Sequence, residues 1–143
     1  MDDRSSHTRS HTRDDSPSAS PLPASLNHIH LTAEDPEAEM HFLVEALGFK
    51  RDPSLPGFVW LGNLQLAVGK GEPVKNARFH LGFRMDSQGH VDALRSQLLD
   101  FGVDVTEPFA NGSYYSCHLK SPGGYGFEVY ADAGIPSLGS PTD

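Results

Sequence analysis

Two histidines and one glutamate stand in short segments that alternate as β-strands do, and all three residues are metal-ligating types. His28 lies in NHIHLTA, His80 in RFHLGFR and Glu128 in YGFEVY. Successive side chains of a strand point to opposite faces, so His28 and His30 share one face and Ile29 points to the other. Two imidazoles and one carboxylate are typical ligands of non-haem iron and related divalent ions. We therefore predict a metal site formed by His28, His80 and Glu128.

A purely structural explanation competes for the same residues. A single half-buried histidine is commonly just a hydrogen-bonded core residue. An inward-facing glutamate is harder to explain in this way, because a buried carboxylate is costly unless it is paired or coordinates an ion. Arg84 shares the strand face of His80 and could pair with Glu128. The sequence leaves both the metal site and the ion pair open.

The elements that carry these residues follow a repeated order. The first histidine strand runs into a helix start, where Asp35 can cap the free amides and Pro36 fits the first helical position. The second leads to Ser87, another plausible cap. Gly48 and Gly102 end the two helices. The chain thus contains strand, helix and several strands, twice over.

The two copies match at polar positions of otherwise apolar strands. His28 aligns with His80, and LQL of the first copy aligns with FEV of the second, so Gln65 matches Glu128. The amide of Gln65 could add a neutral oxygen as a fourth metal ligand. Within the first copy, Gly62–Asn63 predicts a hairpin, and FKRDPSLP before it predicts a loop.

Composition limits the domain organisation and the partners. The chain has 143 residues and a formal charge of −8. Residues 1–24, rich in Ser, Asp, Arg and Pro, predict a disordered arm; a single domain follows over 25–133, with a C-terminal tail at 134–143. Scattered cations argue against nucleic acid, and no run reaches the about 20 apolar residues of a membrane span. Cys117 is the single cysteine, which is compatible with the cytoplasmic location that we expect.

Three segments carry a resemblance to a known family: HIHLTAEDPEAEMHFLVEALGF, FHLGF and SPGGYGFEVY. They resemble the vicinal oxygen chelate superfamily, which includes glyoxalase, fosfomycin-resistance transferases, extradiol dioxygenases and bleomycin-resistance proteins. The resemblance implies an α+β fold of paired βαβββ modules, whose sheet curls into a cup around a divalent metal with helices outside. It also implies His28, His80 and Glu128 as ligands of one Fe, Mn, Ni or Zn ion, and a homodimer that completes the cup.

Dioxygenase-like chemistry is slightly favoured among the activities of the superfamily. Extradiol dioxygenases resemble this chain in their two-histidine, one-glutamate ligands, which leave positions for a catechol and oxygen. Glyoxalase-type lyases need a carboxylate base beside the metal, whereas the amide of Gln65 cannot take up a proton at neutral pH. Fosfomycin-type transferases surround a phosphonate with cations, whereas near the predicted site this chain offers only Arg84 and Lys120. The lyase and the transferase remain further alternatives.

Other polar residues of the predicted cup are candidates for acid–base work and substrate binding. His30 and His118 could exchange protons with a small oxygenated substrate. The candidate substrate contacts are Arg84, Tyr114, Ser116 and Tyr130.

A binding protein without turnover is the alternative from another functional class. Bleomycin-resistance proteins sequester a cationic antibiotic in an acidic cleft, and the negative charge of this chain suits that role. Such binders usually lack the metal ligands, so their presence here favours an enzyme.

Overall fold

The computed structural model describes residues 24–133, which form two successive modules. The first contains β1 (His28–Ala33), α1 (Pro36–Glu45), β2 (Lys50–Arg51), β3 (Phe58–Leu61) and β4 (Leu64–Lys70). The second contains β5 (His80–Arg84), α2 (Gln88–Asp100), β6 (Phe109–Asn111), β7 (Tyr114–Lys120) and β8 (Gly126–Asp132). Apart from residue 24, the predicted arm lies outside the described residues, as does the predicted tail.

Each module forms its own four-stranded mixed sheet. The strand order is β1-β4-β3-β2 in the first sheet and β5-β8-β7-β6 in the second. In each sheet the first strand of the module along the chain pairs in parallel with the fourth, β1 with β4 and β5 with β8. The other neighbouring strands are antiparallel. The predicted α+β fold of paired βαβββ modules is confirmed. Within one chain the two sheets remain separate and do not close into a cup.

Local sequence chemistry fixes the ends of both helices. Asp35 accepts a hydrogen bond from the first turn of α1 at 3.1 Å, and Ser87 accepts one from the first turn of α2 at 3.2 Å. Gly48 and Gly102 adopt φ angles of 77° and 92°, which glycine reaches without a Cβ clash. The predicted caps and glycine stops are confirmed.

One face of each sheet packs on the helices. Leu31 of β1 and Phe127 of β8 are almost completely buried on this side, and the Phe42 ring of α1 stacks on Phe127 with 5.9 Å between centroids. Each such buried side chain stabilises the fold by about 1.5–3 kcal/mol. A single apolar core therefore joins the two modules. The opposite faces, called the open faces below, carry the predicted ligands.

Two buried polar contacts also connect the modules. The Tyr125 hydroxyl donates to the Thr32 carbonyl (2.7 Å) and accepts from the amides of Thr32 (3.2 Å) and Val74 (3.3 Å). Glu39 of α1 accepts a hydrogen bond from the Gly123 amide at 2.6 Å, and its other oxygen is buried without a partner in the described structure. These contacts attach β1 and α1 to the turn that leads into β8.

The structure corrects two details of the sequence interpretation. The segment FKRDPSLP, predicted as a loop, contains β2, because Lys50 and Arg51 pair with Trp60 and Val59 across a long connection. The second correction concerns the repeat.

Strand register differs between the modules. His28 lies directly opposite Gln65, whereas His80 lies opposite Gly126, and Glu128 opposite Gly82. Gln65 and Glu128, which the sequence match aligns, therefore occupy different register positions relative to their histidines. Register depends on long-range pairing, which the short match LQL/FEV does not encode.

The two helices are short. α1 has 10 residues and α2 has 13. Neither helix of residues 24–133 combines the length and apolar character needed to cross a membrane.

Replacing Tyr125 by phenylalanine should lower the free energy of unfolding by about 1–3 kcal/mol, because it removes the shared partner of partly buried backbone groups of Thr32 and Val74. The matched control is Tyr115→Phe, which removes one hydrogen bond to Asp92 at a less buried position. This control should cost less than about 1 kcal/mol. Urea denaturation followed by circular dichroism measures both losses, and equal losses would contradict the role of Tyr125 in joining the modules.

Candidate metal centre

His80 and Glu128 lie together on the open face of the second sheet. His80 Nε2 is 3.1 Å from Glu128 Oε2. The Glu128 side chain is only 10% exposed, whereas that of His80 is 47% exposed. The structure thus brings two of the predicted ligands into contact. The ion-pair partner that the structure shows for Glu128 is His80, whereas the sequence offered Arg84 as a structural alternative.

A backbone hydrogen bond fixes how His80 presents its ring. Its Nδ1 lies 2.9 Å from the carbonyl oxygen of Arg78. Since a carbonyl oxygen only accepts, Nδ1 carries a proton and Nε2 is left facing the Glu128 carboxylate. A neutral imidazole would then direct a lone pair at a negatively charged oxygen. The contact needs either a further proton between the two groups or a cation near both atoms.

The other oxygen of Glu128 has no partner among residues 24–133. Oε1 is buried and accepts no hydrogen bond from any described residue. A buried carboxylate oxygen in this state costs free energy, and a coordinated cation would remove that cost. The donor set of one imidazole nitrogen and one carboxylate therefore fits a divalent metal ion.

His28 and Gln65 form a second pair, on the open face of the first sheet. They lie directly opposite each other on β1 and β4. His28 Nδ1 donates to Asn27 Oδ1 at 3.1 Å, which leaves Nε2 available to a ligand, as in His80. In both pairs, then, the histidine is oriented by an oxygen that lies one or two residues before it in the chain.

An aromatic ring borders the His28 and Gln65 pair. Trp60 of β3 lies opposite Gln65, and its indole N–H donates to the Asp52 carboxylate at 2.8 Å. This hydrogen bond is the main reason why the pKa of Asp52 is lowered to about 2. The tryptophan ring is thus fixed by a polar contact on the open face beside the pair.

The two pairs are separated within one chain. We call His28 with Gln65 the first half-site, and His80 with Glu128 the second. They belong to different sheets. Among residues 24–133, no three His, Cys, Asp or Glu side chains cluster closely enough to hold a metal ion. A single chain therefore supplies two half-sites, each with two of the four predicted ligands.

The two acid–base candidates flank different half-sites. His30 follows His28 on the open face, and a Cβ added at Gly69 would lie 2.8 Å from His30 Nε2, so the imidazole lies across this glycine. His118 lies opposite Glu128, and its ring centroid is 6.4 Å from that of His80. Both side chains are exposed.

The predicted substrate contacts all lie on the open face of the second sheet. Tyr130 lies opposite both Arg84 and Ser116 on the neighbouring strands. The rings of Tyr114 and Tyr130 are 5.8 Å apart. Arg84 donates to the backbone carbonyl of Asp132 at 3.5 Å. The four predicted residues therefore form one continuous surface next to the second half-site.

A cleft of about 1060 Å³ opens beside the second half-site. Both His80 and His118 line it, and one wall is formed by the segment that connects the modules, from Pro73 to Phe79. A small molecule can therefore approach these two histidines from solvent.

Sequence reasoning missed the groups that orient the two histidines. The Asn27 side chain could have been suspected, because an amide adjacent to a strand histidine is placed to bond its ring. The Arg78 carbonyl leaves no signal in the sequence, since every residue carries one. Glu39 and Tyr125, which join the modules, were also missed.

Comparison with known proteins identifies the fold. No family model matches the chain, and no curated protein matches it. Solved structures do match: a possible glyoxalase from Bacillus cereus is 26% identical with a TM-score of 0.64, over 73% of this chain and 96% of that one. The fosfomycin resistance protein FosX from Listeria monocytogenes is 20% identical with a TM-score of 0.68, over 78% and 96%.

A third match joins several activities in its name. A glyoxalase/bleomycin resistance protein/dioxygenase from Nocardioides is 17% identical with a TM-score of 0.64, over 83% of this chain and 91% of that one. At such identities the likeness concerns the fold. The chain therefore has the vicinal oxygen chelate fold, which confirms the superfamily that its sequence resembles.

Proposed function

We propose that this protein is a divalent-metal-dependent enzyme that binds adjacent oxygens of a small substrate. The observation that carries the proposal is the contact of His80 Nε2 with Glu128 Oε2 at 3.1 Å, next to a buried Oε1 that has no partner in the described structure. When bound, the ion would act as a Lewis acid for the substrate oxygens. His28, His80, Glu128 and Gln65 would hold it, as Fe, Mn, Ni or Zn.

The active protein would be a homodimer. Each chain carries both half-sites but does not join them. In a two-fold symmetric dimer, the first half-site of one subunit can meet the second half-site of the other, which creates two identical sites. β1 and β5, which carry the two histidines, both lie at the edge of their sheets among the described strands and are open to such an approach.

Dioxygenase-like chemistry remains slightly favoured. Two histidines and one glutamate would leave coordination positions for a substrate and for oxygen. Gln65 has no basic group, so the proton-transfer role would fall to His118 beside the second half-site or to His30 beside the first. Gly69 gives the His30 ring its room. Glyoxalase-type and fosfomycin-type activities, which appear in the names of two matched structures, remain alternatives within the same metal-dependent class.

A binding protein without turnover is the second candidate. Its support is that the His80–Glu128 contact can also exist as a plain ion pair if His80 carries two protons, while the open faces bind a small molecule. Metal content separates this candidate from the enzyme.

Protein purified anaerobically without a histidine tag should contain about one iron or manganese ion per chain. His80→Ala and Glu128→Gln should each lower metal affinity by at least about tenfold, because each removes a ligand. The control His41→Ala removes an exposed histidine of α1 and should retain the metal. Elemental analysis after dialysis measures the content. Wild-type protein that binds none of Fe, Mn, Ni and Zn would refute the metal-dependent enzyme and favour the binding protein without turnover.

Mixing inactive variants tests whether the site is shared between subunits. His28→Ala and His80→Ala should each lose the metal, whereas refolding the two together should restore about a quarter of the wild-type sites, because half of the dimers are mixed and each has one intact site. The control mixture, His80→Ala with Glu128→Gln, damages the same half-site in both subunits and should restore none. Failure of the first mixture to recover any metal would contradict a shared site.

Replacing Gly69 by alanine should re-aim His30 with little effect on stability. The added Cβ would approach the far end of an exposed side chain, which can turn away. We expect metal content to stay at the wild-type level while turnover falls to that of His30→Gln. Undiminished turnover in both variants would remove His30 from the mechanism and leave the proton transfer to His118.

A further inference from the structure

The second half-site has a histidine on each side of its carboxylate. His118 of β7 is the direct cross-strand neighbour of Glu128, whereas His80 lies on β5, at the opposite flank of β8. Paired residues of adjacent strands point to the same face, so both imidazoles lie on the face of the one carboxylate. The ring centroids of His80 and His118 are 6.4 Å apart, and the two rings are inclined by 69°. One chain therefore brings a second imidazole next to the pair of His80 and Glu128.

The backbone of His118 is fixed, whereas its ring can turn. The His118 amide donates to the Thr106 hydroxyl at 2.9 Å, and the His118 carbonyl accepts from the Thr106 amide at 2.9 Å. The imidazole itself is exposed, and no hydrogen bond from another of residues 24–133 holds it. Exposed side chains change rotamer within nanoseconds, so this ring can move without disturbing the sheet.

The distance between the two rings suits a shared ion after a small rotation. Because imidazole nitrogens bind zinc at roughly 2.0–2.1 Å, two imidazoles on one ion have ring centroids about 4.5–5.2 Å apart. The observed separation of 6.4 Å is larger by about 1–2 Å. This excess explains why His80, His118 and Glu128 do not count as a metal-binding group among residues 24–133 as their side chains now stand. A turn of the exposed His118 ring about its side-chain bonds covers such a distance.

Glu128 offers the negative charge that an ion between the two rings requires. Its Oε2 contacts His80 Nε2 at 3.1 Å, and its buried Oε1 has no partner in the described structure. A cation bound here would compensate a buried carboxylate that is otherwise costly. His28 cannot supply the third ligand within the same chain, because it belongs to the other sheet. His118 is the imidazole of the same sheet that can supply it.

We propose that His118 is a metal ligand, so that one chain binds a divalent ion through His80, His118 and Glu128 alone. The inference rests on the proposed function in one respect, that the second half-site binds a metal. Two imidazoles and one carboxylate form a complete ligand set for such an ion, here from three neighbouring strands of one sheet. A chain can thus take up its ion before it dimerises. When His28 of the partner subunit joins the site, it replaces His118, whose ring is then available for proton transfer.

Removing the first half-site tests the second by itself. The full chain with His28→Ala is titrated with zinc against a chelator of known affinity, and the double variant with His80→Ala gives the background from all other histidines. Although His28→Ala loses its ion on dialysis, the titration should detect zinc binding above this background. Adding His118→Ala should weaken this binding by at least about tenfold, because it removes a ligand. Adding the control His41→Ala, an exposed histidine of α1, should leave it unchanged.

Nitrogen NMR of the histidine rings provides a readout that general damage to the fold would not produce. In His28→Ala protein labelled with ¹⁵N-histidine, zinc should shift one ring nitrogen of His80 and one of His118, and should leave the ring of His41 unchanged. The His118 resonances are assigned by their absence from the variant that also carries His118→Ala. With His28 present, His118→Ala should change zinc affinity little, because His28 of the partner subunit completes the ligand set.

Two outcomes would overturn the role of His118 alone. One is a zinc affinity of His28→Ala that His118→Ala leaves unchanged; the other is a His118 ring whose nitrogen resonances do not respond to zinc. If the wild-type protein binds zinc in either case, the metal-dependent function stands and His118 keeps its acid–base role. Zinc binding by neither the wild type nor His28→Ala would contradict the proposed function itself together with this inference.

Discussion

The structure depends on how a buried carboxylate is neutralised. Glu128 sits on a central strand with 10% of its side chain exposed, and its one partner among the described residues is a histidine ring nitrogen. Because the Arg78 carbonyl occupies the other ring nitrogen, the contact between His80 and Glu128 needs a proton between the two groups or a cation near both. The imidazole of His118, with its ring centroid 6.4 Å from that of His80, stands next to this pair.

The way in which the modules are joined explains why one chain holds only half-sites. Phe42 packs on Phe127 in a core that uses the helix-facing sides of both sheets. Tyr125 and Glu39 secure the same junction with buried hydrogen bonds. The helix-facing sides of both sheets are therefore buried within the chain, and both open faces remain available for contacts with another molecule. This packing supports the proposal of a site shared between two subunits, and it does so independently of the resemblance.

Features that depend on neighbouring residues were predictable from the sequence. The caps at Asp35 and Ser87, the stops at Gly48 and Gly102 and the faces of the histidine strands all follow from local chemistry. Long-range pairing was not predictable, which is why β2 was taken for a loop and the register difference between the modules was missed.

Buried polar residues form an intermediate case. Glu39 lies four residues before the buried Leu43, on the same helix face, so its burial could have been inferred. The unpartnered state of Ser116 could not, because it depends on residues from three strands. The sequence singled out the ligand candidates as polar residues of otherwise apolar strands, whereas their separation between two sheets required the structure.

The most direct test is an anomalous-scattering map from crystals of the protein grown with manganese. The expected result is one peak for each second half-site, at roughly 2.0–2.2 Å from His80 Nε2 and from a Glu128 oxygen. His28 of the partner subunit should complete the ligand set. Crystals that bind manganese elsewhere, or an ordered His80–Glu128 pair with no peak, would contradict the metal centre.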